Sequence, residues 1–229
     1  LGQVKAAHRL SKDVNMVSNG LDTILQAAYA TAKRVRTETA IGQRPVSIAA
    51  AATQLAGDLH GDLKNCSVLL IGAGEMGELI ASDMLAQGLG KLIATHPSER
   101  RAGELAQRLD CHTGAFDDAG ALLVDADIVL TSLGRRRHAV EAEMVKAAVK
   151  ARRHKPIFLI DTAIPGDIDP GVERIEDAFL YNMDDLERVA MEGRASRENE
   201  SGAAWKIIDS DVDAFLRGRA ERTAVPALN

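Results

Sequence analysis

Val68-Leu69-Leu70-Ile71-Gly72-Ala73-Gly74-Glu75-Met76-Gly77 decides the fold class. Consecutive large aliphatic side chains predict a strand buried on both faces of a parallel sheet. The run stops at Gly72. Apolar residues then recur at Met76, Leu79, Ile80, Met84 and Leu85, the three-and-four spacing of a helix. Gly72, Gly74 and Gly77 form G-x-G-x-x-G between the two. In that setting Gly72 permits the tight turn, Gly74 lets backbone approach a pyrophosphate, and Gly77 lets helix and strand pack closely, while the helix N-terminus offers unpaired N–H donors. Gly72, Ala73, Gly74, Glu75, Met76 and Gly77 are therefore candidate contacts of a dinucleotide. The alternative is a glycine turn that serves packing alone.

Working outward, Lys91 to Ala94, Ala126 to Leu130 and Ile157 to Ile160 read as further strands, with helices over Ala102 to Leu109 and Glu141 to Lys150. Short apolar strands alternating with helices predict a parallel α/β sheet with right-handed crossovers. An acidic residue at the end of the second strand would bind the ribose hydroxyls of NAD. Here Thr95-His96-Pro97-Ser98-Glu99-Arg100-Arg101 stands instead. Thr95, His96, Ser98, Arg100 and Arg101 are candidates to hold the 2′-phosphate of NADP by charge-assisted bonds. The alternative is that both arginines are solvated at the start of a surface helix, with Glu99 tempering the field. Thr131 and Ser132 end the next strand and are candidates for the nicotinamide side. Arg135-Arg136-Arg137-His138 reads as a solvated loop or a basic patch, and the acids after Ile160 read as turn chemistry before substrate binding.

Upstream, Leu21, Ile24, Leu25, Ala28, Ala32 and Val35 mark one face of a helix from Gly20 to Arg36, closed by the basic Lys33, Arg34 and Arg36. Residues 37–46 read as a connector, and Ser47 as the cap of an Ala-rich helix from Ile48 to Leu59. Downstream, 186–222 is charged and free of Pro, with apolar positions at Val189, Trp205, Ile208, Val212 and Leu216. Such a helix needs a packed face, supplied either by its own domain or by a partner subunit.

Composition excludes several classes. The 229 residues are 46% hydrophobic and 27% charged, which suits packed cores rather than disorder. A net charge of −5 gives no field for nucleic acid, and four Phe, two Tyr and one Trp make poor base-stacking platforms. Cys66 and Cys111 have neither zinc spacing nor disulfide context and are expected as small core residues, in a cytoplasmic chain without a metal site. No run is long and apolar enough to cross a bilayer, so no membrane partner is expected.

Separated motifs together carry a family resemblance. They are Leu1-Gly2-Gln3-Val4-Lys5, Ala32-Lys33-Arg34-Val35-Arg36-Thr37-Glu38-Thr39-Ala40-Ile41-Gly42, Val46-Ser47-Ile48-Ala49, the strand and turn from Val68 to Glu75, Asp161-Thr162-Ala163-Ile164-Pro165, and Leu180-Tyr181-Asn182-Met183-Asp184-Asp185-Leu186. In this order they resemble the glutamyl-tRNA reductase family over almost the whole chain. The resemblance implies a Rossmann-like doubly wound α/β fold, with residues 1–45 the helical tail of a catalytic domain, 46–183 an NADPH-binding domain and 184–229 the start of a dimerisation helix. It further implies NADPH-dependent reduction of glutamyl-tRNA to glutamate-1-semialdehyde in tetrapyrrole synthesis, a homodimer through the C-terminal helix, and an aminomutase as a possible partner.

The resemblance also has departures. The nucleophilic cysteine of the family precedes the segment that opens this chain, so no catalytic residue is assigned and the chain alone is expected to bind NADPH without turnover. Gln3 is the one matched glutamate-recognition position. Thr95-His96-Pro97 stands where the family has Asn-Arg-Thr, and Pro165-Gly166-Asp167 where it has Pro-Arg-Asp. Two rivals remain: a shikimate-type dehydrogenase, for which residues 1–60 lack a Lys/Asp pair at that family's spacing, and a non-catalytic NADP-binding oligomerisation or regulatory module.

Overall fold

In the computed structural model the elements run α1 (Gly2–Asp13), α2 (Asn19–Glu38), α3 (Ile48–His60), β1 (Ser67–Gly72), α4 (Glu75–Ala86), β2 (Lys91–Thr95), α5 (Glu99–Leu109), β3 (His112–Thr113), α6 (Ala119–Asp125), β4 (Ile128–Ser132), α7 (Ala142–Ala151), β5 (Ile157–Asp161), β6 (Ala178–Asn182) and α8 (Met183–Ala224). The structure describes residues 2–41, 45–135 and 137–224, without the side chains of Gln3 and of 222–224. The readings that fall on Leu1, on 42–44 of the connector, on Arg136 and on the residues after Ala224 lie outside the described residues. Two compact units divide the chain, Leu1–Arg44 with Gly193–Asn229, and Pro45–Glu192.

The second unit is built on six parallel strands in the order β3-β2-β1-β4-β5-β6, the doubly wound order of the Rossmann fold. β1 lies at its centre, paired with β2 and β4 in the register Leu70↔Ala94 and Leu70↔Leu130. Its side chains alternate between two cores. Val68 and Leu70 pack with Ile80, Met84 and Leu105 of α4 and α5 and with Ala52 and Ala56 of α3. Leu69 and Ile71 pack with Leu123, Val145 and Val149 of α6 and α7. Both faces are covered, so the apolar run carries no alternation of polar residues.

Ser47 caps α3 as expected, its Oγ accepting from Ala50 N at 3.2 Å. Other boundaries differ from the sequence reading. β4 begins at Ile128 rather than Ala126, because Ala126 is the C-cap of α6 and the Asp127 carboxylate takes part in a charge cluster. β3, β6, α1 and α6 were not legible: β3 is two exposed residues, and β6 is an edge strand whose burial alternates only weakly.

At the N-terminal edge of the sheet Asp127 is 4% exposed. It accepts from Ser67 N at 3.0 Å, Arg152 Nη2 at 2.9 Å and Lys155 Nζ at 2.6 Å. Burial raises its carboxyl, but the bonds from Lys155, Arg152 and Ser67 outweigh this and bring it down to about 2. Arg152 also donates to the carbonyls of Val124 and Pro156, joining the ends of α6, α7 and β5.

In the first unit α2 starts at Ser18, whose Oγ accepts from Leu21 N. His8 of α1 is buried, 3.0 Å from Asp22 Oδ1 through Nε2 and 3.1 Å from the Tyr29 hydroxyl through Nδ1. Thr31 and Arg34 of α2 both donate to the Asp211 carboxylate of α8, at 2.9 and 2.6 Å. The expected apolar face of α2 exists but is not buried. Ile24, Ala28 and Val35 line an apolar groove of about 520 Å³ with Ile208 and Phe215 of α8.

Replacing Asp127 by Asn leaves Arg152, its side chain 4% exposed, without its counter-charge, a loss expected to cost about 3–5 kcal/mol. The folded carboxyl titrates below its ordinary value of 3.8, so its contribution is complete above that value and lost as pH falls through about 2. Urea unfolding is expected to show D127N less stable at pH 7 and missing the wild-type loss of stability between pH 4 and 2.

Candidate functional site

The strand order reverses between β1 and β4, and open α/β sheets form their ligand crevice beyond the C-terminal ends of such strands. β1 ends there at Gly72, with φ +113°, a conformation that side-chain-bearing residues rarely adopt. The turn lies directly on Ser132, the last residue of β4. A Cβ on Gly72 would overlap the Ser132 carbonyl oxygen, one on Gly74 would overlap Ser132 Oγ, and one on Gly77 would come within 2.7 Å of Ser132 Cβ. Gly74 N also donates to Ser132 O at 3.1 Å. The three glycines thus answer first to the neighbouring strand. They also leave α4 starting at Gly74 without a side-chain cap, so that the first-turn amides of Glu75, Met76 and Gly77 face the crevice without helical acceptors. Of the side chains here, Glu75 is exposed, Met76 packs against the core, and Glu78 is held by Arg108 at 2.8 and 2.9 Å.

Two buried acids shape the other side. Asp167 is fully buried and accepts from the amides of Leu133, Gly134 and Arg135 at 2.5, 3.1 and 3.1 Å. Asp161 accepts from Thr131 Oγ1 at 3.0 Å, Ala163 N at 3.1 Å and Ile168 N at 2.9 Å. These acids organise turns. The expectation that the Thr131 hydroxyl lines the crevice is corrected: Thr131 is fully buried and donates to Asp161. Ser132, 9% exposed, stays at the switch point beside the glycines.

At the end of β2, Thr95 is fully buried, and its hydroxyl has no partner in the described structure. His96 Nδ1 accepts from Ser98 N at 2.8 Å, which leaves Nε2 to carry the proton of the neutral ring. Burial, and then the charges of Arg101 and Arg135, lower the His96 pKa, so the ring is neutral at pH 7. Ser98 precedes α5 without a side-chain capping bond. Arg100, a candidate for the 2′-phosphate, is exposed and pairs with Glu104 one turn further along α5. A cleft of about 610 Å³ opens here, lined by His96, Pro97, Gly114, Phe116, Asp117 and Arg135 among others. Phe116 was not picked out from the sequence. Arg135 belongs to the basic run that follows β4, for which the sequence leaves two readings, a solvated loop or a basic patch touching an anionic partner.

Burial pushes both the Cys66 and Cys111 thiols up, consistent with packing rather than reactivity. Among the described residues no group of three or more His, Cys, Asp or Glu converges as a metal site. Gln3 lies in α1, and its side chain is outside the described residues.

Residues 54–189 match the family model described as shikimate / quinate 5-dehydrogenase, and the chain belongs to that family. The match covers the sheet and its helices. More particularly, the whole chain is homologous to glutamyl-tRNA reductases. It is 47% identical over 228 residues to that of Rhodospirillum rubrum, covering 100% of this chain and 53% of the relative. The Magnetococcus marinus enzyme is 40% identical over 228 residues, with 100% and 54% covered. The solved glutamyl-tRNA reductase from Methanopyrus kandleri superposes with a TM-score of 0.82 at 30% identity, over 96% of this chain and 55% of that one. The nucleotide binding domain of the Thermoplasma volcanium enzyme, at TM-score 0.52 and 18% identity over 67% and 97%, shares the fold. The chain spans about half the length of the relatives it matches.

Gly74→Ala is expected to destabilise the protein by about 1–3 kcal/mol with no ligand present, as overpacking does. Ser132→Gly in the same chain should recover part of that loss. A double-mutant cycle by urea unfolding reads the coupling, and additive effects would mean that the two residues do not press on each other.

Proposed function

We propose that this chain is the dinucleotide-binding part of an NADPH-dependent glutamyl-tRNA reductase, acting in the cytoplasm on the route to tetrapyrroles. The observation that carries the reading is the 47% identity along the whole chain, joined to a glycine turn and uncapped helix at the switch point of the sheet. The site fits the cofactor. The Gly72-Ala73-Gly74 turn with the amides of Glu75, Met76 and Gly77 would hold the pyrophosphate. His96, through Nε2–H, and Arg101 would face the 2′-phosphate, near Ser98 and the end of β2. Ser132 would lie toward the nicotinamide. When bound, the cofactor supplies hydride to an activated acyl group. The protein's own residues bind and orient the cofactor and keep the turn rigid.

On this reading residues 1–45 belong to a catalytic domain that receives the aminoacyl end of glutamyl-tRNA, with Gln3 contacting the glutamyl group. Residues 46–183 form the NADPH domain, and 184–229 begin the dimerisation helix. Trp205, Val212 and Leu216 support the last assignment, since α8 leaves them 48–58% exposed on a helix of 42 residues, and an amphipathic face left open calls for a partner. An aminomutase that consumes the semialdehyde is the further partner. No described helix is long and apolar enough to cross a membrane. The same exposed positions favour a second reading, a non-catalytic module in which NADPH occupancy governs assembly through α8.

Calorimetric titration is expected to give a lower Kd for NADPH than for NADH, while equal values would refute a 2′-phosphate receptor. Sedimentation is expected to find a dimer that Leu216→Lys with Val212→Lys converts to monomer. A wild-type monomer, with or without NADPH, would refute both uses of α8.

A further inference from the structure

We propose that Arg135, in the loop after β4, is the residue that selects a dinucleotide bearing a 2′-phosphate. This rests on the dinucleotide reading above and adds a residue from across the crevice. Arg135 and His96 line the same cleft, although they follow different strands, β4 and β2, which flank β1. The position of Arg135 is built. Its amide and those of Leu133 and Gly134 are held by the buried Asp167 carboxylate, and Gly134 turns the chain at φ +65°.

Charge accounting makes Arg135 decisive. Glu99 and Asp117 also line the cleft, while Arg100 does not line it and pairs with Glu104. Arg101 reaches the site as a charge felt at His96. Among the described residues that line this cleft, Arg135 is the one Lys or Arg side chain against the Glu99 and Asp117 carboxylates, and without it those carboxylates would disfavour a phosphate bearing close to two negative charges. With Arg135 present a guanidinium can donate two parallel bonds to phosphate oxygens. Among the described residues Arg135 makes no ion pair that would compete. The site thus uses a β4-loop arginine where Thr95-His96-Pro97 offers no guanidinium of its own.

The test is calorimetric titration of wild type and Arg135→Gln with NADPH and with NADH. The expected result is an NADPH Kd raised about 10- to 100-fold, with the NADH Kd within about twofold of wild type. Adenosine 2′-monophosphate, used as a fragment probe, should lose affinity in parallel. An unchanged NADPH Kd in R135Q would overturn the assignment while leaving the dinucleotide reading intact. Equal weakening of both dinucleotides would overturn it too, since Arg135 would then serve the shared pyrophosphate or the loop itself. Wild-type protein that binds neither dinucleotide would overturn both the reading and the assignment, so the two failures are told apart.

Discussion

The close approach of the β1–α4 turn to the end of β4 governs the architecture of the site. Two neighbouring parallel strands finish at the same level, and the chain leaving one must pass over the last residue of the other. Ser132 occupies that spot, and the room above it is so limited that Gly72, Gly74 and Gly77 cannot carry a Cβ without overlap or severe crowding. The glycine pattern usually credited to a ligand is therefore already required by the protein's own packing. The two demands reinforce each other. A turn without side chains both clears β4 and exposes the amides of α4.

Carboxylates do most of the remaining positioning, and none of them needs a ligand to do so. At the N-terminal edge of the sheet Asp127 ties β1 to the ends of α7 and β5 through Ser67, Arg152 and Lys155. At the ligand edge Asp161 and Asp167 take up hydroxyl and amide donors from the loops around them. A buried carboxylate is costly unless its lone pairs are filled, so each fixes the conformation of the segment that fills it. The loop bearing Arg135 is held in this way, with a surface side chain riding on a buried post.

The family relation and the geometry bear on different questions. Homology over the whole chain to glutamyl-tRNA reductases gives the frame for the proposed activity and substrate. The geometry speaks to the cleft at the end of β2, where Thr95-His96-Pro97 stands in place of the Asn-Arg-Thr that the family resemblance implies. His96 accepts at Nδ1 and is held neutral, Arg100 pairs with Glu104 on its own helix, and the Arg135 guanidinium from the β4 loop lines the same cleft as His96.

Much of the fold was legible because buried parallel strands and amphipathic helices write their periodicity into local sequence. Val68 to Ile71, Ile157 to Ile160, the cap at Ser47 and the long charged stretch to Arg222 could be read one segment at a time. The two-residue β3 and the edge strand β6 could not, because their pairing is set by neighbours rather than by their own pattern. The same division holds at the site. Sequence alone determined the strand–turn–helix unit and where along the chain a nucleotide site is to be expected. Tertiary structure alone decided that the glycines press on Ser132, that the Thr131 hydroxyl turns inward to Asp161, and that Arg135 shares a cleft with His96. Each of these depends on residues about 30 to 60 positions apart brought together by strand order, and no local pattern records which side chains will meet.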